Sequence, residues 1–384
     1  MKMKQIYLKD ICDLDNGYAF KSDDYVDVSN TLNCRMSNIR PDGSFDIMYN
    51  VKYLPDEYAE KYKDYLLKDG DLIIAMTDMA GDPKILGVPT VVDTQGYNLL
   101  LNQRVGKLRI IKDGVDADYL KLALQCKNVR SYLKRFAGGG VQLNVSKKDI
   151  LNSPVQMRLK EEQEYIVTVF KKIKRVIDQR KHELEMLDEL IKARFVEMFG
   201  NPVDNDKGWE TALCKNLMSK IGSGATPKGG KESYCDEGIS LIRSMNVYNN
   251  RFEYKDLAHI TDEQAGQLDN VTIEKKDVLL NITGASVARC CVIPDDLLPA
   301  RVNQHVSIIR CKERILPDFV CCMFTEDNYQ RLLWNIATAG GATREAITKQ
   351  QIEELMLIVP PIDLQMQFIN FVRQVDKSKV INHI

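Results

Sequence analysis

The chain has 384 residues, 44% apolar and 28% charged, with a formal net charge of −1; this is enough for two ordinary domains with cores of their own. It has no run of about 18 apolar residues, which excludes a membrane-spanning helix, and no signal-peptide core at Met1-Lys-Met-Lys-Gln, so a cytoplasmic location is expected. The charge balance excludes a stand-alone basic DNA-binding domain, because phosphate neutralisation needs a cationic excess; any nucleic-acid affinity must come from clustered basic residues or from partner subunits.

In chain order, a turn-rich opening leads to the apolar run Leu72-Ile-Ile-Ala75, bounded by Gly and Asp, which reads as a strand. A helical stretch follows at Asp118–Gln125, then a Gly-rich loop, Phe136-Ala-Gly-Gly-Gly-Val-Gln-Leu-Asn144. Ser146 is placed as the N-cap of the next helix. A long helix is expected over about Lys160 to Phe199, which lacks Gly and Pro. Ile166, Phe170, Ile173, Ile177, Leu184, Leu187 and Ile191 follow alternating four-and-three spacing, the pattern of a helix packed along another helix. Gly200-Asn-Pro202 stops it.

The same order then recurs: the strand Val278-Leu-Leu-Asn281, the helix Pro317–Phe324, the loop Thr338-Ala-Gly-Gly-Ala-Thr-Arg344 and an N-cap at Thr348. After Pro360-Pro361, Phe368, Val372 and Val375 continue the corresponding helix seam. Four landmarks repeat. Asp69–Thr77 matches Lys275–Thr283, Asn102-Gln-Arg-Val105 matches Asn303-Gln-His-Val306, Ala137–Gly140 matches Ala339–Ala342, and Gln163 matches Gln365, at offsets of 206, 201, 202 and 202. The fold class is therefore α/β (mixed α+β), a duplicated globule of about 155 residues. The boundaries are 1–157, a helical spacer 158–200, 201–360, and a shorter helix 361–384.

Catalytic motifs fail on inspection. Ala225–Glu232 lacks the first Gly and the Ser or Thr of a phosphate loop. Glu274-Lys-Lys276 reads as the turn before the strand at Val278, not as half of a nuclease metal site. No Asn-Pro-Pro-aromatic or Asp-Pro-Pro-aromatic segment of an amino-methyltransferase occurs. The ten cysteines form no Cys-x-x-Cys pair; buried free thiols are expected and no metal site is assigned.

Ser223-Gly-Ala-Thr-Pro227, Gly238–Ile242 with Asn246-Val, the two Asn-Gln segments, Glu161–Ile166 and Leu190–Pro202 together resemble the specificity subunit of type I restriction–modification systems. The resemblance covers essentially the whole chain. It implies a non-catalytic reader of a bipartite, asymmetric double-stranded DNA site, with two target recognition domains separated by a coiled-coil helix that acts as a ruler. Two modification subunits carrying S-adenosylmethionine chemistry would dock on the helical repeats, and restriction (translocase-nuclease) subunits could join them; the chain itself needs no cofactor. The second helix can overlap the first over about 20 residues only, which leaves a surface for another subunit to complete or marks a rearranged form. A coiled-coil scaffold with two protein-binding globules is the competing reading.

Candidate DNA contacts are Arg35, Arg40, Arg243, Arg289 and Arg301, the basic residues Arg104 and His305 that follow Asn-Gln, the turn lysines Lys228 and Lys231, and Gln142, Asn144, Thr343 and Arg344 in the Gly-rich loops. Glycine lets a backbone approach a ligand closely, and these side chains suit phosphates or base edges.

Overall fold

The computed structural model describes residues 4–227, 229–339 and 345–381. The chain forms two compact units, Met1–Ile177 and Asp178–Ile384.

In the first unit, a four-stranded antiparallel sheet runs in the order Cys12–Asn16, Val105–Ile110, Leu72–Ala75, Pro89–Val91. The central strand Leu72–Ala75 is buried along its whole length. Leu72 and Ile74 enter one core with Leu120, Leu124 and Leu133; Ile73 and Ala75 enter another with Leu32, Leu99 and Leu101. A strand covered on both faces has no reason to alternate apolar with polar, which is why it appears as a continuous apolar run. A second sheet has the order Tyr53–Leu54, Thr31–Cys34, Asn98–Leu101, Leu66–Leu67, and its two central strands are parallel.

The second unit repeats this plan. Its four-stranded sheet is Met218–Ser223, Val306–Cys311, Val278–Asn281, Cys290–Val292. Val278 and Leu280 face one core and Leu279 the other. The companion sheet is Ala258–Ile260, Ile239–Ile242, Ala300–Val302, with the last two strands parallel. Each unit also carries a pair of helices before its Gly-rich loop, Ala117–Gln125 with Lys127–Phe136 and Pro317–Phe324 with Asp327–Thr338. The second helix of each pair was not anticipated from the sequence. Ser146 and Thr348 cap the following short helices by accepting from Asp149 N–H and Gln351 N–H.

The long helix spans Lys160–Phe199 and passes from the first unit into the second. Gly200, at φ +73°, ends it with its N–H donating to the Val196 carbonyl, a left-handed terminus that glycine adopts without a Cβ penalty. The shorter helix spans Ile362–Ile381. In the second unit Phe368 lies 5.5 Å, ring to ring, from both Phe195 and Phe199. Lys379 pairs with Asp188 at 2.7 Å, so the two helices run side by side over the later part of the long one.

The seam is therefore packed only in part. Ile166 packs on the first unit's core; Ile191, Phe368, Val372 and Val375 pack within the second. Leu184 and Leu187 are half-buried. Phe170, Ile173 and Ile177 are 52%, 50% and 49% exposed, contrary to a seam closed along its length. The four-and-three spacing gives an apolar stripe, but the stripe is covered only where a unit's core or the second helix lies against it. Among the described residues no helix is long and apolar enough to cross a membrane.

Candidate nucleic-acid interface

In each unit two parallel strands end side by side, and a basic residue stands at each end. In the first unit, Thr31–Cys34 delivers Arg35 and Asn98–Leu101 delivers Asn102-Gln103-Arg104. Asn102 N–H donates to the Cys34 carbonyl at 3.1 Å. In the second, Ile239–Ile242 delivers Arg243 and Ala300–Val302 delivers Asn303-Gln304-His305. Asn303 N–H donates to the Ile242 carbonyl at 3.0 Å.

Buried asparagines build both ends. Asn102 Oδ1 accepts from Arg104 N–H at 3.1 Å, and Asn303 Oδ1 from His305 N–H at 3.0 Å. Asn38 Oδ1 accepts from Arg35 N–H at 2.8 Å while its Nδ2 donates to the Asp46 carbonyl at 2.9 Å. Asn246 treats Arg243 N–H and the Glu253 carbonyl alike, at 3.1 and 2.9 Å. An Asn carboxamide closing on a nearby N–H replaces a missing ladder bond and fixes the turn. The asparagines are therefore structural, and the basic residues beside them are presented by a rigid frame.

Glycines let the chain cross this frame. A Cβ on Gly17 would lie 2.3 Å from the Asn102 carbonyl carbon, and one on Gly224 would lie 1.8 Å from the Val302 oxygen. The Gly-rich loop reaches the frame from the other side. Gly138 and Asn144 exchange backbone hydrogen bonds, Gly139 sits at φ +132°, and Val145 N–H donates to the Met76 carbonyl, whose own N–H donates to the Arg104 carbonyl. Asn144 is exposed and its Oδ1 accepts from Thr77 Oγ1 at 2.8 Å; Gln142 is half-buried opposite Met79.

The basic candidates divide sharply. Arg35 and Arg104 are half-buried and line one cavity of about 240 Å³. Arg243 lies over the Tyr234 ring at 5.6 Å and donates to the Asp256 carbonyl. His305 Nδ1 is 2.7 Å from Thr283 Oγ1. Arg40 stacks on Tyr49 at 3.7 Å, and Arg289 on Tyr248 at 4.5 Å, both outside the strand-end frame.

Arg301 is a correction. It is buried, and it donates to the Ala265 and Ala300 carbonyls and to Asp269; its fork is taken up by the fold. Lys228, Thr343 and Arg344 lie outside the described residues, as does the Lys231 side chain. Glu274 N–H donates to Asp277 Oδ2 at 2.7 Å, closing the turn before Val278, and Asp277 is paired with Arg310.

The Arg-x-x-Asn turn, Arg35–Asn38 and Arg243–Asn246, is a repeat that sequence reading missed. Its offset of 208 differs from the other landmarks, and only two of its four positions are identical.

Comparison with known proteins gives a consistent result. Residues 2–188 and 207–384 match the family described as type I restriction modification DNA specificity domain. The chain is 25% identical over 190 residues to the type I restriction enzyme MjaVIII specificity subunit of Methanocaldococcus jannaschii, covering 49% of this chain and 43% of that one. It is 19% identical over 405 residues to the EcoBI specificity subunit of Escherichia coli, covering 96% and 78%. The match to the MjaIX specificity subunit of M. jannaschii, at 23% identity, covers 71% of this chain and 65% of that one. Among solved structures, an S subunit of a type I restriction-modification system from M. genitalium superposes with a TM-score of 0.54 at 11% identity, covering 100% and 91%. A chain from a study of complex assembly and conformational transition in the type I R-M system gives 0.56 at 15%, covering 99% and 91%. At these identities the structural likeness speaks to the fold alone.

Proposed function

The chain belongs to the type I restriction modification DNA specificity family, and from that membership we propose that it is the non-catalytic, sequence-reading subunit of a type I restriction–modification complex. Each globular domain, 1–157 and 201–360, reads one half of a bipartite double-stranded DNA site. The observation that carries this reading is the strand-end frame built twice with unlike side chains, Arg104 in one unit and His305 in the other. Equal frames with unequal readers suit an asymmetric site.

The helix Lys160–Phe199 is the proposed ruler. Forty residues at 1.5 Å each extend about 60 Å, and a rigid connection makes the second half-site contact intramolecular. Its open apolar stripe at Phe170, Ile173 and Ile177 is the proposed landing place for modification subunits, two in number, which would carry the S-adenosylmethionine chemistry. Translocase-nuclease subunits could join them. The proposed location is the cytoplasm, supported by cysteines that are all free. The scaffold reading loses its ground with the family match.

The test is selection from a randomised DNA library by the chain assembled with its modification partner. The expected result is a two-part motif and binding that weakens steeply with salt. A complex without sequence preference overturns the reading.

A further inference from the structure

The first unit's cavity has a chemistry that its neighbours do not use. Arg35 and Arg104 both line it, with Ser37, Gln103, Phe20 and Tyr25 among the walls. Neither guanidinium has a hydrogen bond or ion pair to another described residue. Among the described residues no Asp or Glu lines the cavity. Ser37 Oγ is buried with no partner among the described residues. An unpaired buried hydroxyl is costly, so a site that keeps one beside two uncompensated cations is organised for a ligand rich in acceptors.

The ligand class follows from the walls. A phosphate alone gains nothing from Phe20 and Tyr25, and would be stripped of water against them. A base edge in the major groove sets apolar ring carbon beside its acceptors, and so tolerates aromatic walls that a bare phosphate does not. In the major groove guanine alone presents two adjacent acceptors, O6 and N7, which match the fork of one Arg; adenine puts a donor where the second acceptor is needed.

The second unit says which Arg reads. Its frame keeps an Arg at the turn, Arg243, and that side chain is already engaged with Asp256 and Tyr234. The position after Asn-Gln changes from Arg104 to His305, whose Nδ1 is 2.7 Å from Thr283 Oγ1 and whose Nε2 is 3.4 Å from Gln304 Nε2, so this ring presents no fork. We propose that Arg104 reads a guanine in the first half-site through O6 and N7, while Arg35 and Ser37 supply donors to the same nucleotide. This rests on the DNA-reading function proposed above and names the base class for one of its positions.

The test uses the full chain assembled with its modification partner. Library selection is repeated with Arg104→Ala and with Arg104→His, the residue the second unit's frame already accommodates. The expected result is that one guanine of the first half-site loses its preference by about tenfold or more, and the second half-site stays unchanged. Placing 7-deazaguanine at that position weakens the wild-type complex by a similar factor and does not weaken Arg104→Ala further. Uniform weakening across all sequences, with a salt slope reduced by about one, marks Arg104 as a phosphate contact and overturns the inference. So does an unmoved preference, while the specificity function survives. A wild-type complex with no preference overturns both.

Discussion

Gln163 Oε1 accepts a 2.9 Å hydrogen bond from the backbone N–H of Asp116, and its Nε2 donates to the carbonyls of Gly114 and Arg158. Gln365 repeats the arrangement with Leu316 N–H and the carbonyls of Arg314 and Pro360. Both side chains are 1% exposed or less, and Asp116 and Leu316 are the N-caps of Ala117–Gln125 and Pro317–Phe324. One carboxamide thus ties the root of each seam helix to the start of a core helix.

Replacing either Gln by Leu leaves one N–H and two carbonyls without their partner. The expected loss is about 1–3 kcal/mol per unit, read as a lower urea midpoint for Gln163→Leu and for Gln365→Leu. Midpoints equal to wild type in both variants remove the structural role.

Gly17→Ala sets a Cβ against the Asn102 backbone, which can move only by shifting the Arg104 loop. The expected outcome is loss of sequence preference in the first half-site alone. Gly224→Ala does the same for the second half-site. Library selection with each variant reads this directly, and a preference lost equally at both half-sites contradicts it.

Every residue from 171 to 183 is exposed, so the helix accepts an insertion there without disturbing a core. Seven added residues keep the helical face and lengthen the rod by about 10.5 Å. That is about three base pairs at 3.4 Å each, so the preferred gap between half-sites grows by about three. An unchanged gap refutes the ruler.

Burial pushes the thiols of Cys12 and Cys214 up to about 12 from an ordinary value of 9.0. Between these values the unfolded chain has given up thiol protons that the folded chain keeps. The stabilisation is complete below about pH 9 and is lost as pH rises through 12, by up to about 1.4 kcal/mol per pH unit for each thiol. Urea midpoints from pH 8 to 11 are expected to fall, and to fall less steeply in Cys12→Ala and Cys214→Ala. Equal slopes in variants and wild type contradict the assignment.

Much of the architecture is local and was legible in the sequence. The bounds of Lys160–Phe199 follow from an unbroken helical run and the Gly-Pro stop. The strands Leu72–Ala75 and Val278–Asn281 follow from apolar runs between turn residues, and the duplication follows from spacing. What only the tertiary structure decided is which side chains remain free. Arg104 and Arg301 both sit beside apolar strand residues, yet one lines a cavity and the other is folded against Ala265 and Asp269. The difference lies in strand register and in what covers each face, set by residues more than 30 positions away from Arg301. The helical stripe is the same case. Periodicity specifies that Phe170, Ile173 and Ile177 share an apolar face, but whether a face is buried depends on a neighbour, and these three side chains stay about half exposed.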